Sequence, residues 1–513
     1  MTLRLVSDRG PAPDGARDEE AAGARAPQLH ALGGVLSQSG VAPSSESAIS
    51  DMAALYGAGL LRDCEFAQWG TDPQVAALAR MMPGDPDGVA PDSLLRGRMD
   101  GARQGPYVSQ LLLIGGGVER DGGIDPREAG AGVRSGLVSY GTQRLSQHVA
   151  GYLSRLDYGT DWAGWQNARD RRGAVTPRLE RFAHFVATPR DLVSRVCLDA
   201  PFQAPLTACL VLLEAGIPLG AGLSGSGAAS DADAPFGPSH ILSLVTEAAS
   251  RAARAARTDR HDRRSLGPQA LAAGLALAWS GDRDRALGMA GEGFSRMAEV
   301  LSERGLLQRV AAHNAYQNAL WPDRGALGPL GEETNALLPM AHPSATRGIA
   351  PALAAGACVT ILKACFEMFD RPGPAPLGAL RALTGPDAPL SCAWQTCPEN
   401  PQDLRPVAAA PLMLLGELDK LAANLAMGCV FAGDATPEAA HAALRQGERI
   451  AVRLLTEEAA ASPWPTTMRL TSFDGDGLTI KAAPARDDPP VTIWNEDGAG
   501  GADALRAWWT RQA

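Results

Sequence analysis

Aromatic side chains are scarce in this chain: Phe, Trp and Tyr make up 5% of its 513 residues. A core of that size must therefore be built mainly from Ala, Leu and Val. Positive charge is also in deficit. Lys and Arg number 47 against 57 Asp and Glu, a formal net charge of −10, which argues against nucleic acid or an anionic membrane surface as partner. The opening stretch MTLRLVSDRGPAPDGARDEE has no apolar segment of the kind a secretory signal needs. The longest apolar run, residues 204–223, is interrupted by Pro205, Glu214 and Pro218 and is too broken to span a bilayer. Disulfide spacing is missing as well. Cys197, Cys209, Cys358, Cys365 and Cys429 fall at apolar helix positions and read as buried thiols of a reducing, cytoplasmic compartment. Cys392 and Cys397 form a lone C-x4-C without a second ligand pair and read as loop cysteines. The histidines show no metal-ligand spacing either, so no metal site is expected.

What is present is helical periodicity. Residues 1–48, rich in Gly, Ala, Pro and acidic groups, read as a flexible or subunit-packing arm, with one helical domain over 49–513. A first helix is expected from a Ser50-Asp51 start. The run from Phe236 to Arg257, which Ser239 could cap, has an apolar face of Ile241, Leu244, Val245, Ala248, Ala252 and Ala255. A basic tail, Thr258 to Gln269, follows it. Leu414, Leu418, Leu421, Leu425 and Cys429 share one side of a further helix, so Cys429 should point inward. Thr436-Pro437-Glu438 then reads as N-cap, first-turn proline and first-turn acid. Near the C-terminus, MRLTSF and LTIKA flank Asp474-Gly475, a β-hairpin signal. The glycines after Ile114 do not complete a dinucleotide fingerprint, because Arg120 stands where the third would be.

The stretch that organises the rest is LLPMAHPSATRGIAPALAAGACVTILKACFEMFD, beginning at Leu338. From Leu353 to Phe369 apolar residues recur at helical spacing, and Thr360, Lys363 and Glu367 form one narrow polar stripe. That pattern predicts a helix covered on most of its circumference. The segment before it, with His342, Pro343, Gly348 and Pro351, is a loop delivered to the helix's N-terminal end, where free N–H groups favour anions.

LLPMAHPS followed by GACVTILKA resembles the active-site segment of the vanadium-dependent haloperoxidases, and the resemblance extends from about residue 50 to 481. It implies an all-α fold (mainly) of helical bundles with a small C-terminal hairpin, and by analogy a homodimer. It also implies an oxyanion site built from segments at about 258–270, 338–356 and 428–440. The family's ligands do not carry over. Its lysine corresponds to Arg260, and its arginine before proline to Gly267. The Gly-His pair ahead of the buried helix is replaced by Arg347-Gly348-Ile349 or Ala350-Pro351, depending on the gap. Its last arginine corresponds to Cys429 and its vanadium-binding histidine to Ala435. A buried oxyanion left without its cations is costly, so the resemblance implies a homologue that does not use vanadate.

A degenerate subgroup of the family performs a halide-free α-hydroxyketone rearrangement in meroterpenoid biosynthesis. Resemblance to that subgroup implies an isomerase acting on a prenylated naphthoquinone-type substrate, with no cofactor; phosphate or another anion could enter the old vanadate pocket. The expected catalytic groups are His342, Arg260, His261 and Asp434. Arg264, Gly267, Arg347, Gly348 and Cys429 are expected to shape the substrate pocket. Each has a plainer reading: a solvated basic helix end for His261 and Arg264, a loop histidine for His342, a helix cap for Asp434, an inert core thiol for Cys429. The competing function is a catalytically inactive homologue, acting as partner subunit or intermediate-binding protein.

Overall fold

The computed structural model describes residues 45–83, 89–115, 135–170, 176–223, 235–262, 267–281, 291–321, 327–343, 348–366, 392–410, 412–482 and 491–495. The protein is mainly α-helical. The helices are α1 (Glu46–Leu60), α2 (Pro73–Met81), α3 (Asp100–Arg103), α4 (Trp162–Asp170), α5 (Pro189–Leu198), α6 (Gln203–Glu214) and α7 (Pro238–Asp262). They continue as α8 (Pro268–Trp279), α9 (Gly291–Glu303), α10 (Leu306–Leu320), α11 (Ala350–Cys365), α12 (Leu414–Ala432) and α13 (Pro437–Ala461). Strands are few and antiparallel: β1 (Leu137–Tyr140) with β2 (Gln143–Ser146), and β3 (Cys392–Cys397) with β4 (Asn400–Ala408). A three-stranded sheet of β5 (Thr466–Thr471), β6 (Gly477–Ala482) and β7 (Val491–Asn495) closes the series.

Helix α11 is the axis of the fold. All of its residues are buried, including Thr360 and Lys363, and it lies against α13, α7 and α12. The polar stripe is thus covered at Thr360 and Lys363, and Glu367 lies outside the described residues. Thr360 donates to the Gly356 carbonyl at 2.8 Å, and Lys363 pairs with Asp419 at 2.5 Å. Two glycines make the close crossing of α11 and α13. A Cβ on Gly356 of α11 would stand 2.2 Å from the Leu444 carbonyl oxygen, and one on Gly447 of α13 would stand 2.2 Å from that of Leu353. With no side chain at either position the two backbones touch, and Ala-rich surfaces pack around the contact.

Several boundaries differ from expectation. The first helix starts earlier than Ser50, because Ser45 caps it by accepting from the Ala48 N–H at 3.2 Å. Ser239 lies inside α7, which opens at Pro238 and runs on to Asp262, so the start of the expected basic tail is helical. Helix α11 ends at Cys365 and not near Phe369: Phe366 turns extended and bridges to Leu219. Cys392 and Cys397 bound strand β3 and do not sit in a loop. The Thr436 cap is as read, with its hydroxyl accepting from Ala439 N–H at 3.2 Å, and the hairpin is as read with β7 added. Among the described residues no single helix is long and apolar enough to cross a membrane; α5 and α6 together pass by length and composition but meet at a 100° bend.

Candidate active site

His342 arrives on the loop between α10 and α11, and buried polar groups hold that loop. Tyr56 on α1 donates its hydroxyl to the Ala336 carbonyl at 2.6 Å. Asn314 on α10 donates to the carbonyls of Asn335 and Leu337, each at 2.9 Å. Met340 and Tyr158 exchange backbone hydrogen bonds at 2.7 and 2.8 Å. Arg62, just beyond α1, donates to the Pro339 carbonyl and also to that of Phe431, the latter at 2.6 Å. One fully buried guanidinium therefore ties the His342 loop to the end of α12.

That guanidinium is fixed in turn. Asp157 accepts from Arg62 at 2.8 Å, from Arg190 at 2.9 Å and pairs with His313 at 2.8 Å, while Arg190 also binds Asp63 at 2.7 Å. Burial opposes ionisation of Asp157, but the Arg62 and Arg190 charges outweigh it and hold its carboxyl well below the usual range. His313 and Asn314 belong to this supporting network, and the nearby Tyr316 is exposed.

Asp434 comes from the other side. Helix α12 ends with Gly433 in the left-handed region, and the Asp434 N–H donates to the Cys429 carbonyl at 3.0 Å. Because Thr436 supplies the cap of α13, the Asp434 carboxyl is released from that duty and turns inward. Its Oδ1 lies 3.6 Å from His342 Nε2, and the two side chains are 2% and 3% exposed. Neither atom has a hydrogen-bond partner among the described residues. Two buried polar atoms facing each other slightly beyond hydrogen-bond reach make a site for a third polar group.

Two thiols complete the surroundings. Cys197, on the last turn of α5, brings its sulfur within 4.8 Å of both His342 and Asp434. It gets there because α5 presses on α12 at Gly428, where a Cβ would stand 2.9 Å from Val196 Cγ1. Cys429 is buried and donates to the Leu425 carbonyl at 3.6 Å. Burial, then the charge of Asp434, pushes its thiol well up, against the opposing Ala352 N–H at the start of α11. It is a neutral thiol and not a nucleophile. The Tyr152 ring lies 6.3 Å from that of His342, centroid to centroid.

Of the residues expected here, His342, Asp434 and Cys429 are brought together. Arg260 and His261 lie in the last turn of α7 by their backbone, with side chains outside the described residues. Arg264 and Arg347 lie outside the described residues altogether. Gly267 is the exposed N-cap of α8, and Gly348 adopts φ +60 just before α11. The sequence pattern marks Cys197 only as a core thiol and carries no site signal at Arg62 or Asp157. Its only mark there is a charge flanking an apolar run, as in YGAGLLRD. Two cavities, of about 520 and 320 Å³, lie elsewhere around α12, α13 and the 96–99 loop, and neither is lined by His342 or Asp434.

The chain is 29% identical over 415 residues to a vanadium-dependent bromoperoxidase of Corallina pilulifera, covering 76% of this chain. It is 27% identical over 483 residues to one of Corallina officinalis, covering 85% of this chain and 75% of that enzyme. The chain is haloperoxidase-like. The alignment spans only 63% of the C. pilulifera enzyme's own length. No family model matches. In fold, this haloperoxidase-like chain is similar to the second vanadate-dependent bromoperoxidase of Ascophyllum nodosum, a homohexamer. The TM-score is 0.67 at 20% identity, over 89% of this chain and 73% of that one.

Proposed function

We propose that this haloperoxidase-like chain is a vanadium-independent isomerase of meroterpenoid biosynthesis, a cytoplasmic homodimer. It would rearrange a prenylated hydroxynaphthoquinone by a 1,2-shift of a prenyl or geranyl group. The observation that carries the reading is the buried His342–Asp434 pair with its two unsatisfied atoms facing each other. Among the described residues, the donor set around the pair supports a site that works without vanadate. An oxyanion needs several fixed cations and an axial imidazole, whereas Asp434 offers a carboxyl oxygen, Cys429 a neutral thiol and the buried Ala435 no ligand atom.

An α-hydroxyketone rearrangement asks for what the pair has. His342 Nε2 accepts the proton of the tertiary hydroxyl, and Asp434 steadies the imidazolium. The carbon–carbon bond to the migrating group breaks at the carbinol carbon as it forms at the neighbouring carbonyl carbon. The first oxygen becomes the carbonyl, the second becomes an alkoxide, and His342 returns the proton to it. Atoms and electrons balance without an oxidant.

A competing observation favours a partner subunit or intermediate-binding protein: the His342 and Asp434 side chains are only 3% and 2% exposed. One incubation separates the two readings. Purified protein with a prenylated α-hydroxyketone naphthoquinone, without vanadate, halide or peroxide, should yield a product of unchanged mass. His342→Ala should slow its formation by about 100-fold or more, the range of general acid–base catalysis. No isomer from any such substrate would leave the partner reading.

A further inference from the structure

We infer that Cys197, His342 and Asp434 form a binding site for one divalent transition-metal ion of the zinc class. The inference goes beyond the isomerase reading and stands whether or not that reaction is found. Three elements that are distant in sequence converge here: the last turn of α5, the loop before α11 and the residue that follows the Gly433 cap of α12. Each offers one ligand atom, and the sulfur, imidazole nitrogen and carboxyl oxygen lie within 4.8 Å of one another.

Tetrahedral zinc, with bonds of about 2.0 to 2.3 Å, sets its ligand atoms about 3.3 to 3.8 Å apart. The 3.6 Å between His342 Nε2 and Asp434 Oδ1 already has that spacing. A direct hydrogen bond would have drawn these atoms to about 2.8 Å. They stay apart, buried and without hydrogen-bond partners among the described residues, which is the arrangement an ion between them would satisfy. One sulfur, one nitrogen and one oxygen make a borderline-soft set that suits Zn²⁺ and Co²⁺ and disfavours Mg²⁺ and Ca²⁺, which take oxygen.

Three protein ligands leave a fourth position open, as in sites where an ion binds water or substrate. Cys197 is half-buried, which gives the ion a way in. On the loaded protein a vicinal hydroxyl and carbonyl could share that open side, and His342 would then hold the ion and not the proton.

The test is a titration of the chelator-treated full chain with Co²⁺ alone, followed by absorption. One equivalent should bind with a thiolate-to-cobalt charge-transfer band. Cys197→Ser should abolish the band, and Cys397→Ser, on strand β3, should leave it. His342→Ala and Asp434→Asn should each weaken binding by more than the about 10–100-fold that changes behind a ligand produce. No binding, or a band that survives Cys197→Ser, overturns the inference. Isomerisation by protein that binds no ion would overturn it and leave the isomerase reading. Stoichiometric binding without isomerisation would do the reverse.

Discussion

Glu448 shows how much a single buried group can set. It is fully buried on α13, and its Oε1 accepts from the Phe473 N–H at 3.0 Å. Burial pushes its carboxyl up to about 8, the Lys363 charge opposes that only in part, and Asp474 and Asp419 add to it. Lys363 is already engaged: it pairs with Asp419, donates to the Thr471 carbonyl at 3.1 Å and stands 4.0 Å over the Phe473 ring. The folded state therefore keeps a proton on Glu448 that the unfolded chain, with its ordinary value of 4.5, gives up. A raised folded value means the stability is fully present below about 4.5 and is lost as pH rises towards about 8. The unfolding free energy from urea titrations should fall by a few kcal/mol between about pH 5 and pH 8, and Glu448→Gln should flatten that slope. A slope unchanged in the variant would refute the assignment. Lys363 was legible as part of a polar stripe. Its burial was not, because the partner on α12 and the ring on the β5–β6 loop come from far along the chain.

Element by element, the helices were legible where the pattern is local. Spacing placed the buried helix and the inward side of α12, and Thr436-Pro437-Glu438 marked the start of α13. Ends were harder to read. Helix α11 stops at Cys365 because Phe366 is recruited to a bridge with Leu219, a contact no local pattern encodes. The crossing of α11 and α13 was equally invisible, since Gly356 and Gly447 look like helix-weakening residues until the other helix is present. Gly356→Ala should raise intrinsic helix propensity by about 1 kcal/mol. Its Cβ would nevertheless meet the Leu444 carbonyl at 2.2 Å, a backbone atom that cannot turn aside. We expect the steric term to win and the variant to lose about 2–3 kcal/mol net, the scale of overpacking, read as a lowered thermal midpoint. A variant as stable as the parent would mean that the helices do not cross this closely.

The candidate site depends on an arrangement that spans the chain. Arg62, Asp157, Arg190 and His313 come from four separate segments, and through Arg62 they hold Pro339 and Phe431, one in the His342 loop and the other near Asp434. The resemblance to haloperoxidases made the His342 and Asp434 segments legible. It said nothing of this support, because a charge network closed only by the fold has no spacing in sequence. The site was therefore legible as a pair of segments, not as a pair of facing atoms. Asp157→Asn removes the one carboxylate shared by two fully buried guanidiniums, leaving Arg190 with Asp63 and Arg62 with carbonyls alone. Breaking such a buried set costs about 3–5 kcal/mol, so the urea midpoint should drop accordingly. The loss should also be local: amide exchange should rise at 336–342 and 431–435, the two segments Arg62 joins. Co²⁺ affinity should fall with it, although Asp157 touches no proposed ligand. A lowered midpoint with exchange unchanged in both segments would show that the network stabilises the fold without positioning the His342–Asp434 pair.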